Sequence, residues 1–448
     1  MEQMRAILPA VELQAFAAAM GRAATVSIRR NVTKSSDFIG GFRPVAWCDK
    51  GVYLEGREAF TFDPLLHGGC YYVQDASSMI LHHIAAAVSG GQAVRWLDLC
   101  AAPGGKSTAI IDALPAGSRL VANEIVAARA AVLAENMAKW GTPAVAVTSA
   151  SPAEIGQRLG GAFDVVSADV PCSGEGMMRK DAEAVAQWSP ALVEQCAARQ
   201  RSIIDDVWPA LRPGGYFIYS TCTFNREENE KMVDYVVERY GAESLDLRLP
   251  AAWGLRAGID TPHHCYRFMP HLIEGEGLFV AVLRKPGSGA PMAVKPERSV
   301  KRLAPYATLL REPMSIVERR GTVVGTPPDG FLATVAQTVR TLSEGVALGA
   351  VKGKNFVPDA RLALSTALNR EAFPTAEVDY ATAVAYLRGE AIGLAEAPRG
   401  FVTVTYEGVA LGFVKNVGNR ANNLYPQPWR IRSSHLPPAP PCLVVAAR

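Results

Sequence analysis

Two cysteines stand where a thiol could do chemistry. Cys172 follows Asp169-Val170-Pro171 and Cys222 follows Ser220-Thr221, each at the end of an apolar run of strand length, FDVVSADVP and GGYFIYSTC. Carbon 5 of cytosine is too weak a nucleophile to take a methyl group from a sulfonium, but a thiolate that adds at carbon 6 turns the ring into an enamine that can. The carbon 5 proton must then leave and the thiolate must be expelled, which calls for a base or releasing group close by. Asp169 could hydrogen-bond the edge of the ring and stabilise its protonated form. Chemistry alone leaves open which thiol attacks. A lone cysteine is usually inert packing, but two at neighbouring strand ends tell against that use. The absence of a C-x-x-C pair tells against a redox couple.

A methyl donor needs its own site, and VRWLDLCAAPGGK, Val94 to Lys106, offers one. A short apolar strand runs into small residues, then Pro103-Gly104-Gly105, then a helix from Lys106 to Leu114. Adjacent glycines let backbone approach a ligand, and a helix start presents unpaired N–H groups to something electron-rich. A triphosphate loop would need glycine where Cys100 stands, and a dinucleotide would call for G-x-G-x-x-G, which is not spelled here. About twenty residues on, Glu124 ends the apolar run LVANE, where nucleotide-type folds keep a carboxylate for ribose hydroxyls. S-adenosylmethionine, with an adenosine to grip and no phosphate, fits this pattern.

These strand ends must be carried by a sheet. From about Gly68 to Pro286 strand and helix patterns alternate: the strands above, AVAVT, a helix in VAARAAVLAENMAKW, a long helix from Pro190 to Leu211, a helix in NREENEKMVDYVVERY and a last strand GLFVAVLRK. That order predicts an α/β doubly wound, mostly parallel sheet, whose ligands lie at strand carboxyl ends where the order reverses. The 448 residues, 49% of them apolar, suffice for several cores. The formal charge of +3 sets up no global basic field, so a nucleic-acid surface must be local. The eight cysteines show neither metal spacing nor a disulfide framework, which predicts reduced thiols in the cytoplasm and no metal. The N-terminus resembles no signal peptide and no apolar run reaches the ~18 residues of a membrane span, so no membrane partner is expected.

At the quoted residues a family becomes visible. WLDLCAAPGGKSTAI, ADVPCSGEGMMRKD and RPGGYFIYSTCTFNREENE closely resemble signature motifs of the Nop/Sun family of RNA (cytosine-5) methyltransferases, over about Tyr71 to Lys285. The flanks are most similar to the bacterial F-type 16S rRNA enzymes. The resemblance implies a Rossmann-like class I methyltransferase, with Cys222 as nucleophile, Cys172 assisting product release and Asp169 at the cytosine edge. It places S-adenosylmethionine on Cys100, Ala101, Ala102, Pro103, Gly104, Gly105, Lys106, Glu124 and Asp169, with Arg129 as a helper, and Gln74, Asp75 and Ser77 in the crevice. Where the family would hold an acidic residue near the adenine amino group this chain has Ser151, whose hydroxyl could substitute. The substrate implied is 16S rRNA or the small subunit. A transfer-RNA cytosine-5 enzyme and a non-catalytic RNA-binding assembly factor are the alternatives.

Around the catalytic unit, 71–286, the sequence divides into a small N-terminal α+β domain, 1–70, a linker and connecting module, 287–370, and a last domain, 371–448, that resembles the PUA-like RNA-binding ends of the same enzymes. In the first, Arg29, Arg30, Lys34 and Arg43 lie among Phe38, Phe42 and Trp47, which would suit RNA or an ordinary solvated surface equally. In the connecting module FLATVAQTVRTLSEGVALG and ARLALSTAL read as helix-like, and in the last TAEVDYATAVAYLRG reads as a helix, with a hairpin turning at Glu407-Gly408. Lys415, Asn422, Asn423, Tyr425 and Arg430 are its candidate RNA contacts. Arg179 and Lys180, beyond Cys172, could meet a phosphate or stay solvated, and His263, His264 and His271 show no evident acid–base partner.

Overall fold

The computed structural model describes residues 2–5, 7–353 and 355–447. Its centre is a sheet whose strands are β1 (Arg95–Asp98), β2 (Arg119–Asn123), β3 (Val145–Thr148), β4 (Phe163–Asp169), β5 (Leu211–Thr221), β6 (Leu278–Arg284) and β7 (Thr341–Glu344). They lie in the order β7-β3-β2-β1-β4-β5-β6, with Tyr266–Phe268 and Arg256–Ala257 continuing beyond β6. The five from β3 to β5 are parallel, whereas β6 and β7 run antiparallel to their neighbours. Strands covered on both faces need side chains that are apolar on both, and LFVAVLR of β6 is buried at every position but its last. The order reverses at β1, which has β2 on one side and β4 on the other, so a crevice opens at the carboxyl ends of β1 and β4.

The helices around this sheet are α1 (Ile80–Ser89), α2 (Gly105–Ala113), α3 (Ala127–Trp140), α4 (Pro190–Val207) and α5 (Glu230–Tyr240). Ser189 caps α4, its Oγ accepting from the Leu192 N–H at 3.1 Å, with Pro190 in the first turn. The sequence carries α4 on to Leu211, but Pro209 has no N–H to continue it and the helix gives way to β5. The sequence starts α5 at Asn225, yet the helix begins at Glu230 because Asn225, Glu228 and Asn229 are spent on the loop below.

The flanking modules differ more from the sequence reading. Val26–Arg30 pairs with Cys48–Leu54 and with Tyr71–Val73, so the last strand of the N-terminal sheet lies past residue 70. FLATVAQTVRTLSEGVALG is not one helix: a helix covers Phe331–Thr338, then Thr341–Glu344 becomes β7 against β3 and Val346–Lys352 joins a separate four-stranded sheet. In TAEVDYATAVAYLRG, Thr375–Glu377 is a strand and only Tyr380–Leu387 is helical, begun by Asp379, which accepts from the Thr382 N–H at 2.8 Å. The hairpin of Gly400–Tyr406 and Val409–Asn416 turns at Glu407-Gly408. Ile28, Val52 and Tyr71 share one core with Val384, Val402, Val414 and Leu443, and Ser35–Phe38 pairs with Val444–Ala446. The first and last modules therefore fold against one another, which no local pattern foretold.

Much of the basic and aromatic set in the first module points inward. Arg29 is fully buried, donating to Gln74 Oε1 at 2.9 Å, Asp112 Oδ2 at 2.6 Å and Thr108 Oγ1 at 2.6 Å, over the ring of Trp140. Lys34 Nζ donates to the carbonyls of Gly68, Lys139 and Leu364, and its burial draws its pKa down to about 8. Trp47 is buried and Arg30 donates to the Ser35 carbonyl, which leaves Arg43 the one exposed member of the basic set. Cations spaced through a small α+β module serve here to bridge it to α2 and α3.

Candidate active site

Register brings the site together. Asp169, the last residue of β4, is paired across the parallel ladder with Ser220 of β5, so Cys172 and Cys222 leave adjacent strands side by side. Their sulfurs are 3.4 Å apart. Asp169 Oδ1 accepts from Ser220 Oγ at 2.9 Å, and its Oδ2 accepts from Lys106 Nζ at 2.9 Å. Burial alone would pull the Lys106 ammonium down, but the Asp169 carboxylate, with Cys222 adding to it, holds the pKa up at about 12. The hydrogen bond with Cys222, then burial, pushes the Cys172 thiol well above the ordinary cysteine range.

The glycine turn is tied into the crevice by backbone. Leu99 N donates to the Ser167 carbonyl of β4 and Ala101 N to the Asn123 carbonyl of β2, each at 2.8 Å, which splays the turn across the reversal point. Gly104 has φ 114°, and a Cβ there would sit 3.2 Å from Leu133, so glycine is required by conformation and by space. The Pro103 carbonyl is held by Asn136 Nδ2 at 2.8 Å, and that of Ala102 by Arg129 at 3.0 Å. Glu124, 3% exposed, accepts from the Val126 N–H through Oε1 at 2.9 Å. Its Oε2 is buried and accepts no hydrogen bond, although an Arg129 nitrogen lies 3.4 Å away. A buried carboxylate oxygen that accepts no hydrogen bond at the end of β2 is what a pair of ribose hydroxyls would satisfy.

Cys100 lies among carboxylates: burial, then Asp169, Asp98 and Glu124, push its thiol up out of reach of ionisation near neutral pH. With Asp169 paired to Lys106 and Glu124 3.4 Å from Arg129, the turn keeps an excess of one negative charge, which a sulfonium would offset. Ser151 caps the short helix Pro152–Arg158, its Oγ accepting from the Glu154 N–H at 3.2 Å, so one of its lone pairs is already engaged. Among the described residues no group of three or more His, Cys, Asp or Glu side chains could hold a metal ion, and no helix is long and apolar enough to cross a membrane.

Asp98 supplies a pH test of this turn. Its Oδ2 accepts from Ser107 Oγ at 2.6 Å, and burial raises its pKa to about 6. Between about pH 4 and pH 6 the folded chain keeps a proton that the unfolded chain has released, so stability falls as pH rises through that window. The loss is complete above pH 6 and amounts to about 3 kcal/mol at 1.36 kcal/mol per unit. Asp98→Asn, which cannot ionise, is expected to melt above the wild type at pH 8 and with it near pH 4. Equal shifts at both pH values would contradict this account.

Other candidate residues are placed differently from the sequence reading. Arg179 donates to the carbonyls of Gly275 (2.7 Å) and Ala23 (3.0 Å), and Lys180 pairs with Glu276, so both are tied down as loop fastenings. Gln74 accepts from Arg29, Asp75 accepts from the Glu276 N–H at 2.9 Å, and Ser77 Oγ is buried without a partner. His263 and His271 do have acidic neighbours, Asp234 at 3.7 Å and Glu12 at 3.6 Å. Tyr425 packs in the core 5.5 Å from the Tyr386 ring, and Asn423 donates to the carbonyls of Tyr386 and Glu390, so these two are structural. Arg430 is partly buried, its Nε without a partner, while Lys415 and Asn422, paired across a strand, remain exposed.

The sequence reading missed Glu175 and Glu228, two buried carboxylates between the cysteine loops, and Gln200 on α4, which donates to the Pro171 carbonyl at 3.0 Å. The acidic residues of GEG and NREENE were the available signal.

Comparison with known proteins covers most of the chain. Residues 1–76 match the N-terminal domain of 16S rRNA methyltransferase RsmF, residues 86–284 match 16S rRNA methyltransferase RsmB/F, and residues 373–431 match the methyltransferase RsmF PUA domain. Ribosomal RNA small subunit methyltransferase F of Klebsiella pneumoniae (strain 342) is 34% identical over 456 residues, covering 95% of this chain and 94% of that protein. Among solved structures, NSun6 from Pyrococcus horikoshii with SFG has TM-score 0.52 at 17% identity, over 64% of this chain and 97% of that one. A methyltransferase homolog protein from Pyrococcus horikoshii has TM-score 0.50 at 23% identity, over 60% and 90%. These two likenesses are of fold.

Proposed function

Because the chain belongs to the 16S rRNA methyltransferase RsmB/F family, we propose that it transfers a methyl group from S-adenosylmethionine to carbon 5 of a cytosine in 16S rRNA while Cys222 is bonded to carbon 6. The observation that carries this reading is the pair of sulfurs 3.4 Å apart at adjacent strand ends, beside a carboxylate and an ammonium bonded to each other. S-adenosylmethionine, when bound, supplies an electrophilic methyl group on a positively charged sulfur. The turn from Cys100 to Lys106 and the Glu124 oxygen that accepts no hydrogen bond would hold it, Arg129 steadies the turn, and the Ser151 hydroxyl would be offered to the adenine end.

The chain's own residues divide the remaining work. Cys222 as thiolate forms the bond to carbon 6, and the Lys106 ammonium offsets the negative charge there. Asp169, already fixed by Ser220 and Lys106, presents its carboxylate to the ring edge and favours the protonated ring. A water molecule in the crevice takes the carbon 5 proton, the electron pair of the broken carbon–hydrogen bond restores the ring double bond, and the carbon–sulfur bond breaks with its pair going to Cys222. Cys172, which keeps its proton, can donate it in a hydrogen bond to the departing thiolate. Attack on carbon 6 comes from the face of the ring, so the base must be unstacked first. One crevice reads one base; selecting a single site in a long RNA falls to the flanking modules, within the cytoplasm, where thiols stay reduced.

Tritiated methyl transfer onto naked and assembled small-subunit RNA, followed by bisulfite sequencing of ribosomal and transfer RNA from cells lacking the protein, tests the proposal. Label in 5-methylcytosine of 16S rRNA is expected. Label confined to transfer RNA would reassign the substrate, and no label on any RNA would leave a non-catalytic RNA-binding role.

A further inference from the structure

The two cysteine loops exchange carboxylates. Glu175, three residues after Cys172, reaches across to the other loop, where its Oε2 accepts from the backbone N–H groups of Phe224 (2.6 Å) and Asn225 (3.0 Å). Glu228, six residues after Cys222, reaches back, its Oε2 accepting from the N–H of Ser173 at 2.9 Å and from Gln200 Nε2 at 2.8 Å. Asn225 Nδ2 lies between the two, 2.8 Å from Glu228 Oε1 and 3.3 Å from Glu175 Oε1, and Trp188 Nε1 donates to Glu175 Oε1 at 3.2 Å. Gly176 N donates to the Cys222 carbonyl at 2.8 Å, and a Cβ on Gly176 would come within 2.6 Å of that oxygen, so the loops touch backbone to backbone.

Both carboxylates are buried, Glu228 fully, and their oxygens are met by N–H donors. Isolated buried carboxylates are costly. Each of these accepts several hydrogen bonds, while burial pushes the Glu228 carboxyl up. The N–H groups they hold follow Cys172 by one residue and Cys222 by two and three. A displacement of either carboxylate therefore becomes a displacement of a sulfur.

We propose that Glu175 and Glu228 are positioning residues forming a reciprocal clasp, each anchored on one cysteine loop and gripping the backbone of the other, which sets the separation of the Cys172 and Cys222 sulfurs. The consequence for methyl transfer rests on the proposed function, but the clasp itself is a statement about two thiols. Glu175→Gln and Glu228→Gln keep size and shape. Every oxygen of both carboxylates faces a donor, so an amide must turn its NH2 group toward an N–H wherever it is placed.

The test uses the full-length chain and phenylarsine oxide, whose arsenic bonds two neighbouring thiols with loss of one water and so measures their spacing without RNA or cofactor. Cys172→Ser gives the single-thiol baseline and Glu227→Gln, half-buried beside the clasp and paired with Lys231, the matched control. In E175Q and E228Q, dithiol capture should weaken by about tenfold and kcat should fall by about 10²-fold, the cost of roughly an ångström of misplacement. KM for S-adenosylmethionine and the melting temperature of E227Q should stay near wild type. Folded E175Q and E228Q with wild-type capture and kcat would overturn the proposal. If a glutamine variant does not fold, E175D and E228D, which keep the charge but shorten the reach by about 1.5 Å, decide in the same way: weakened capture supports the clasp and unchanged capture overturns it. Weakened capture in a wild-type background that methylates no RNA would uphold the clasp and remove the proposed function alone.

Discussion

Cys222→Ser is expected to lower kcat for methyl transfer by about 10⁴-fold or more, the scale on which nucleophile removal acts, while affinity for S-adenosylhomocysteine stays within about twofold of wild type. Serine differs from cysteine by one atom at nearly constant volume, so the strand end and the loop behind it should be retained. What is lost is an ionisable nucleophile: a hydroxyl is neutral near pH 7, and the groups beside it, the Cys172 thiol and the Lys106 ammonium, are proton donors in this setting. Cofactor affinity should survive because the turn from Cys100 to Lys106 and Glu124 hang on β1 and β2, while Cys222 hangs on β5. Single-turnover tritium transfer and calorimetry with S-adenosylhomocysteine measure the two quantities separately. A serine variant retaining more than about a hundredth of the wild-type rate would mean that no covalent sulfur adduct is needed.

What the sequence could show was whatever depends on neighbours in the chain. Central strands covered on both faces are forced to be largely apolar, so β1, β2, β4 and β6 announce themselves, and Gly104 is legible because only glycine meets its conformation and its clearance from Leu133. Asp169 and both cysteines stand out because polar and nucleophilic residues end those apolar runs. The remainder depends on partners far along the chain. Arg29 looks like a surface cation until Asp112, Thr108 and Trp140 close around it, and Tyr425 looks like an RNA-facing aromatic until Tyr386 covers it. Thr341–Glu344 continues a helical pattern in isolation and becomes strand only because the β3 edge offers it a ladder. Glu175 and Glu228 were hidden for the same reason: in sequence they are loop charges, and only the apposition of two loops shows that their donors are backbone amides of the opposite segment.

Cys172→Ser is expected to fail at the other end of the reaction, leaving RNA joined to the protein. In the proposed reaction, bond formation at carbon 6 and methyl arrival at carbon 5 draw on Cys222, Lys106 and Asp169, none of which the substitution removes. In that proposal release falls to the sulfur 3.4 Å from Cys222, whose hydrogen bond with it is also the main reason its own proton is held so firmly. Losing one positioned proton donor or acceptor costs about 10² to 10⁴ in rate, so the adduct should outlive the wild-type one by at least about a hundredfold and accumulate when enzyme, RNA and S-adenosylmethionine are mixed. A denaturing gel with labelled RNA reads this directly as a protein band carrying RNA. The band should vanish in the double variant Cys172→Ser/Cys222→Ser, because the thiol that makes the bond is then absent. Free RNA with full turnover from Cys172→Ser would remove the release role. A band that persists without Cys222 and disappears without Cys172 would exchange the two assignments, an outcome that the 3.4 Å separation alone permits and that the Lys106 charge beside Cys222 argues against.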